Sequence, residues 1–242
     1  MLPLGTLASA RRASSWTPAS LPGLAAWYDA SAITGLVDND PVSAWADLSG
    51  NGKHLATHPA GGAAAYKTAI RNSLPVVRFD GTNDCLIGTS VLATDSTYEL
   101  TAVLNVRSGS VLRSPLGVQT PSNPRYGGAM LLNASNVRGI YSPGAYATYS
   151  GGTYTNGTWE RWSLASTATL SVNGSSVQTG AGLGAANNLL VGSAVYVSGI
   201  VDPGALEFPA PVDIAEIVVT SAVLSGGDRT ALDAYLLTKW GF

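Results

Sequence analysis

DIAEIVVTSAVLSGGDRTALDAYLLTKWGF, Asp213 to Phe242, decides the fold. Its opening residues are an Ile/Val-rich run of the kind that forms a buried strand. A Ser-Gly-Gly break follows, and then the spacing becomes helical. Ser225 stands where an N-cap belongs, and Asp228 lies three residues later, the interval of a capping box. Leu232, Tyr235 and Leu236 share one helical face, which predicts packing on a sheet. The expectation is one buried strand, a turn, and one helix running to the chain end.

Upstream the chain reads as short strands and Gly/Ser-rich turns. Ala25 to Asp29 is short and apolar. Val42 to Leu48 alternates, with Val42, Ala44, Ala46 and Leu48 on one face and Trp45 and Asp47 on the other. Ser49-Gly50-Asn51-Gly52 is a tight turn in which Gly and Asn are expected to supply positive φ. Pro75 to Phe79 is a strand ending at Asp80-Gly81, and Tyr98 to Val106 is a long one. Thr158 to Ala165 and Thr167 to Val172 lead into Asn173-Gly174, a strong hairpin signal, and a return strand at Ser176 to Thr179. Asn188 to Gly192 and Ile214 to Thr220 complete the set. About a dozen strands at this spacing predict an all-β, two-sheet antiparallel sandwich with one C-terminal helix. Residues 1–22, rich in Ala, Ser and Pro, read as an extended N-terminal arm, and residues 23–242 as one domain. Trp16 in that arm suggests docking on a neighbouring subunit, because a solvated tail gains nothing from an indole.

Composition narrows the function. Apolar residues make up 45% of the chain, enough for a real core, while charged residues make up only 12%. A net charge of −2 and scattered basic residues argue against nucleic acid, which needs a basic face. No apolar run is long enough to span a bilayer, and the start does not read as a signal peptide. Cys85 is the single cysteine, so no intrachain disulfide is expected, and it reads as a buried, inert thiol. His54 and His58 are four apart, but Pro59 and Gly61-Gly62 argue against the helix that would make them a zinc pair, so a surface loop is expected.

Five blocks carry a resemblance: Leu21–Ala30 (LPGLAAWYDA), Val42–Leu55 (VSAWADLSGNGKHL), Leu74–Leu86 (LPVVRFDGTNDCL), the WERWSL…TLSVNG pair, and the C-terminal stretch. In order and spacing they resemble laminin-G-like, concanavalin A-like jelly-roll domains, of the kind found in bacterial surface proteins and tailed-phage virion proteins. The resemblance implies a jelly roll over residues 21–242, with Trp27, Trp45, Phe79 and Trp240 as core aromatics. It implies that the loops at Asp47–Gly52 and Asp80–Asp84 are shaped turns whose Asp and Asn side chains cap local backbone. The alternative for the second loop is calcium held by Asp80, Asn83 and Asp84.

The fold hosts lectins, glycosidases and structural modules alike. Laminarinase-type relatives carry Glu-x-Asp-x-x-Glu on one strand. Here Asp213 and Glu216 fit its second half, but Pro211 occupies the first position. No enzyme activity is therefore expected, and Asp213 and Glu216 read as hydrogen-bonding residues. A binding surface is sought instead in Arg125 to Thr158, where Tyr126, Tyr141, Tyr146, Tyr149 and Tyr154 alternate with Gly, Ser, Asn and Thr. Such tyrosines serve either as edge-strand residues or as a sugar-stacking surface. In the second case Tyr141, Tyr146, Tyr149 and Asn136 are the expected ligand residues.

The expectation is a non-catalytic virion surface protein, a minor tail or adhesin component that binds host-surface carbohydrate. Its arm would contact other virion proteins, and it would assemble as a homo-oligomer. The alternatives are a capsid decoration or head-fibre subunit that touches only virion proteins, and a glycoside hydrolase.

Overall fold

The computed structural model describes residues 16–92, 97–109, 112–119, 129–142, 145–179, 193–202 and 205–242. The chain enters through β1 (Leu24–Asp29) and crosses between layers in short steps, β2 (Pro41–Val42), β3 (Ala44–Trp45) and β4 (Leu55–Thr57). A hairpin of β5 (Ala64–Arg71) and β6 (Leu74–Arg78) leads to β7 (Leu86–Leu92) and β8 (Glu99–Val106). Then come β9 (Arg113–Gln119), β10 (Ala129–Leu132), β11 (Arg138–Ser142) and β12 (Ala145–Thr148). A meander follows, β13 (Trp159–Ala165), β14 (Thr169–Val172) and β15 (Ser175–Thr179). After β16 (Ser193–Val197), a ribbon of β17 (Ile200–Asp202) and β18 (Ala205–Glu207) precedes β19 (Val212–Thr220) and helix α1 (Gly226–Trp240).

The strands form two facing antiparallel sheets. The first runs β15-β14-β13-β8-β19-β6-β5-β2, and the second β12-β11-β10-β9-β16-β7-β4-β3. In the first, β8 lies on one edge of β19, while β6 and β1 share its other edge. This is a jelly-roll β-sandwich closed by one helix, as the sequence predicts.

All nine residues of β19 are buried because both of its faces are covered. Ile214, Ile217 and Val219 face the second sheet, whereas Ala215 and Val218 face α1. A bulge between Ile214 and Glu216 interrupts simple alternation and turns Glu216 toward the helix as well. β19 therefore borders two cores. The four aromatics expected to be buried are buried, but they divide between the cores. Trp45 and Phe79 lie between the sheets, and Trp27 and Trp240 lie beneath the helix.

The helix is capped as its sequence implies. The Ser225 hydroxyl accepts from the Asp228 N–H at 3.2 Å and donates to its carboxylate at 2.7 Å. Leu232 and Leu236 are buried and Tyr235 packs against the same cluster. The helix stops at Trp240, with Gly241 at φ 66 returning its N–H to Leu237. The last carbonyls are met by the β5–β6 turn: Arg71 Nε donates to Trp240 O and Asn72 Nδ2 to Lys239 O, each at 2.7 Å.

Several expectations change. Val42 to Leu48 is not one alternating strand. Val42 pairs in the first sheet and Ala44–Trp45 in the second, so Val42, Trp45 and Asp47 are all buried. Trp16 packs on Tyr235 of its own chain, with ring centroids 5.8 Å apart, and Leu21 joins the helix-side core. Residues 16–22 are thus part of the domain; the remainder of the arm, 1–15, lies outside the described residues. His54 and His58 flank strand β4 rather than sharing a loop. The strand expected at Asn188 to Gly192 also lies outside the described residues.

Candidate functional site

The β10–β12 edge of the second sheet carries the residues expected to bind sugar. The register Ile140↔Thr148 sets Tyr141 on one rung and Tyr149 just past the neighbouring strand, and both are half-buried. Burial pushes the Tyr149 hydroxyl up in pKa. Tyr146 lies on β12, but its side chain is outside the described set. Asn136 sits apart, at the β10–β11 turn with φ 56. Tyr141 is near the far end of β11, so at ~3.3 Å per residue the two stand ~10 Å or more apart. The Asn136 side chain turns inward instead. Its Oδ1 and the Tyr154 hydroxyl are buried without hydrogen-bond partners, and both lie against Gly109.

The two Asp/Asn loops cap their own backbone. Asp80 Oδ1 accepts from the N–H groups of Thr82, Asn83 and Asp84 at 2.7, 3.2 and 3.3 Å, and Asp84 Oδ2 accepts from Asp80 N–H at 2.8 Å. Asp47 accepts from the N–H groups of Trp27, Ser49 and Lys53, each at 2.9 Å. In the Ser49–Gly52 turn only Gly50 and Gly52 take positive φ. Asn51 contributes through its side chain, which donates to Leu24 O and Ala25 O. Among the described residues no group of three or more His, Cys, Asp or Glu side chains is placed to hold a metal. His54 Nδ1 accepts from Asp47 N–H, and His58 Nδ1 from Ala60 N–H. Cys85 is fully buried, and burial together with Asp84 pushes its thiol up to about 12.

The acids on β19 do not open on a cleft. Asp213 is 1% exposed and accepts from Arg78 Nε and Nη2 at 2.7 and 2.8 Å, with Arg107 Nε at 3.2 Å. Glu216 lies under the helix. Its Oε1 accepts from Trp27 Nε1 at 2.7 Å, and its Oε2 from Trp240 Nε1 at 2.7 Å and Lys239 Nζ at 2.9 Å. Lys239 also contacts Asp29, the cross-strand neighbour of Glu216. Burial pushes the Glu216 carboxyl up; the Lys239 charge opposes this and the Asp29 charge adds to it. Sequence reasoning found Glu216 but not its partners, since no motif spacing links Asp29 to Lys239.

A second place was not foreseen. A cleft of about 210 Å³ opens between Asp29, Ala32–Thr34 and β3, with Trp45 and Leu48 in its lining. The Trp45 indole N–H is buried without a partner.

No protein-family model and no curated protein matches the chain. Solved structures do. Domain 4 of AbnA, a GH43 extracellular arabinanase from Geobacillus stearothermophilus in complex with arabinotriose, matches with a TM-score of 0.62 at 13% identity, over 87% of this chain and 98% of that one. Trypanosoma rangeli sialidase in complex with 2,3-difluorosialic acid matches with a TM-score of 0.62 at 14% identity, over 90% of this chain but only 33% of the sialidase. The binding domain of Paraclostridial Mosquitocidal Protein 1 matches at 0.55 and 14% identity, over 82% of this chain and 51% of that one. The chain thus spans a third of the sialidase and nearly all of the arabinanase domain. At these identities the likeness establishes one thing, a shared β-sandwich fold.

Proposed function

We propose that this chain is a non-catalytic carbohydrate-binding jelly-roll module, displayed on a virion of the tailed-phage kind, where it attaches to host-surface glycan. The observation that carries the binding part is the β10–β12 edge, where Tyr141 and Tyr149 fall close together and each stays partly exposed. A tyrosine ring offers an apolar face to sugar C–H groups and a hydroxyl to its rim, at low entropy cost. Tyr146 on the same edge completes the proposed set, and Asn136, whose side chain turns inward at the β10–β11 turn, stands apart from it. The chain-length likeness to an arabinanase domain solved with arabinotriose supports the ligand class. Burial of Asp213 and Glu216 in ion pairs, with Pro211 two residues before Asp213, supports binding without hydrolysis. The virion setting is supported by the sequence resemblance and the low charge.

The test is a glycan array and a host-envelope binding assay with the purified chain. Tyr141→Ala and Tyr149→Ala should each weaken binding about 5- to 30-fold, the equivalent of ~1–2 kcal/mol. Loss in Trp45→Phe with the tyrosine variants unaffected moves the site to the cleft beside Asp29. Failure to bind any glycan or envelope fraction removes the adhesion reading. Reducing-sugar release that disappears in Glu216→Gln would replace it with hydrolysis. Particles that become fragile without the protein favour the decoration role.

A further inference from the structure

The cluster under the helix holds more than a salt bridge requires. Lys239 Nζ lies 2.5 Å from Asp29 Oδ2 and 2.9 Å from Glu216 Oε2. The first contact puts Nζ at ~3–3.5 Å from the Asp29 carboxyl carbon, the separation of a near-attack arrangement. The two Asp29 oxygens have different partners. Among the described residues, Oδ2 meets the lysine alone. Oδ1 accepts from Ser31 N–H at 2.9 Å and Ser31 Oγ at 2.7 Å. Two donors at that range are what a developing oxyanion needs. Water is largely excluded: the side chains of Asp29, Lys239 and Glu216 are 9%, 17% and 0% exposed. The walls are aromatic, with Nζ 5.5 Å from the Tyr235 ring centroid and 5.0 Å from that of Trp240.

We propose that Asp29 and Lys239 condense into an intramolecular amide bond, with Glu216 carrying the proton, so that the folded chain cross-links its first strand to its last helix. Glu216 relays one proton from the ammonium to Asp29 Oδ2, and the freed Nζ lone pair attacks the carboxyl carbon, now neutral. The new N–C bond forms as negative charge collects on Oδ1, under Ser31. Oδ2, already carrying that proton, then leaves as water, taking its second proton from nitrogen through Glu216. Ammonium and carboxylate give amide and one water; charge balances and nothing is oxidised or reduced. Glu216 ends as it began, held by the two indole N–H groups.

Two physical effects favour the product. The ionised cluster buries one positive and two negative charges, and condensation removes an opposite pair from a dry site. Amide formation from separate partners in water is unfavourable. Groups held in near-attack geometry, however, have effective molarities on the order of 10⁵–10⁸ M, and exclusion of water suppresses the back reaction.

Denatured intact-mass spectrometry of the purified full chain decides the matter. The expected mass is lower than the sequence mass by one water, with a branched proteolytic peptide joining the segment of Asp29 to that of Lys239. Lys239→Arg keeps the positive charge opposite both acids and should restore the full sequence mass. Glu216→Gln should slow bond formation on the order of 10²-fold, and Ser31→Ala should slow it without unfolding the protein. A folded wild-type chain that keeps its full sequence mass after long incubation overturns the proposal. A water loss that maps to any other pair of residues overturns it equally.

Discussion

Replacing Asp47 by Ala should cost the fold far more than one carboxylate on a loop would suggest. The residue is 8% exposed. Its Oδ1 accepts from Trp27 N–H and Ser49 N–H at 2.9 Å each, and its Oδ2 from Lys53 N–H at 2.9 Å and Ser49 Oγ at 2.8 Å. One side chain therefore ties the Ser49–Gly52 turn to β1. Alanine removes both acceptor oxygens and with them all four hydrogen bonds. The Trp27 amide is buried in a strand and would be stranded, at about 1–3 kcal/mol. The Ser49 and Lys53 amides are nearer water and recover part of their loss, about 0.5–1 kcal/mol each net. The sum is roughly 2–5 kcal/mol, which in a domain of this size lowers Tm by about 4–20 °C. Scanning calorimetry and urea unfolding both read it. Asp47→Asn keeps one acceptor oxygen and should fall about halfway. A loss below ~1 kcal/mol in Asp47→Ala would refute the reasoning, because the turn would then be held by its glycines and by Asn51 alone.

Acid should act through the same loops. Burial works against the charge of Asp47, but the N–H groups of Lys53, Ser49 and Trp27 outweigh it; burial likewise works against Asp80, where Thr82, Asn83 and Asp84 prevail. Both carboxyls are held below their usual range. A depressed native pKa gives stability that is present above the unfolded value of ~4 and lost as pH falls through the native one, so the stability gap between wild type and Asp47→Ala should be constant above pH ~5 and shrink below ~4; a gap that widens there contradicts the assignment. Leu236→Ala, at 1% exposure in the helix-side core, should cost about 2–4 kcal/mol in urea unfolding. Gly81→Ala should cost ~2 kcal/mol or more, because Gly81 has φ +80 and an added Cβ would lie 2.7 Å from Pro211 N. Gly226→Ala, with nothing within 4 Å of its Cβ position, should be neutral or stabilising by up to ~1 kcal/mol.

What the sequence disclosed depended on how local its cause was. The cap at Ser225 and the Asn173-Gly174 hairpin rest on neighbouring residues, and the structure shows both, with φ 47 at Asn173 and 87 at Gly174; the helix expected to reach the chain end instead stops at Trp240, where Gly241 turns left-handed. Val42 to Leu48 misled because period-2 alternation assumes one strand in one sheet, whereas this chain crosses from one layer to the other at Ser43. Trp27 was legible as buried but not as helix-side, since an apolar strand does not say what covers each face. Asn136 and Tyr141 are near in sequence but not in space, because the extended β11 carries Tyr141 away from the turn that holds Asn136. The Asp29–Lys239 contact was invisible for the opposite reason, as it is made only when the helix folds back over β19.

The layering itself constrains where a ligand can sit. Helix α1 covers the first sheet at β19, and Glu216 is sealed there while Asp213 is sealed by Arg78 and Arg107. On the second sheet, Cys85, Ala194 and Tyr196 form an outward apolar cluster that Leu206 of β18 packs against. Both sheets are thus covered near their centres among the described residues. Two places at the margins of the second sheet stay open to a ligand, the β10–β12 edge and the cleft between Asp29 and Trp45. The two lie on opposite extremes of the second sheet, since β12 and β3 are its terminal strands. A variant at one margin cannot disturb the other by contact. Tyr141→Ala and Trp45→Phe should therefore give additive effects on any glycan that binds, and a departure from additivity of more than ~0.5 kcal/mol in the double variant would refute their separation.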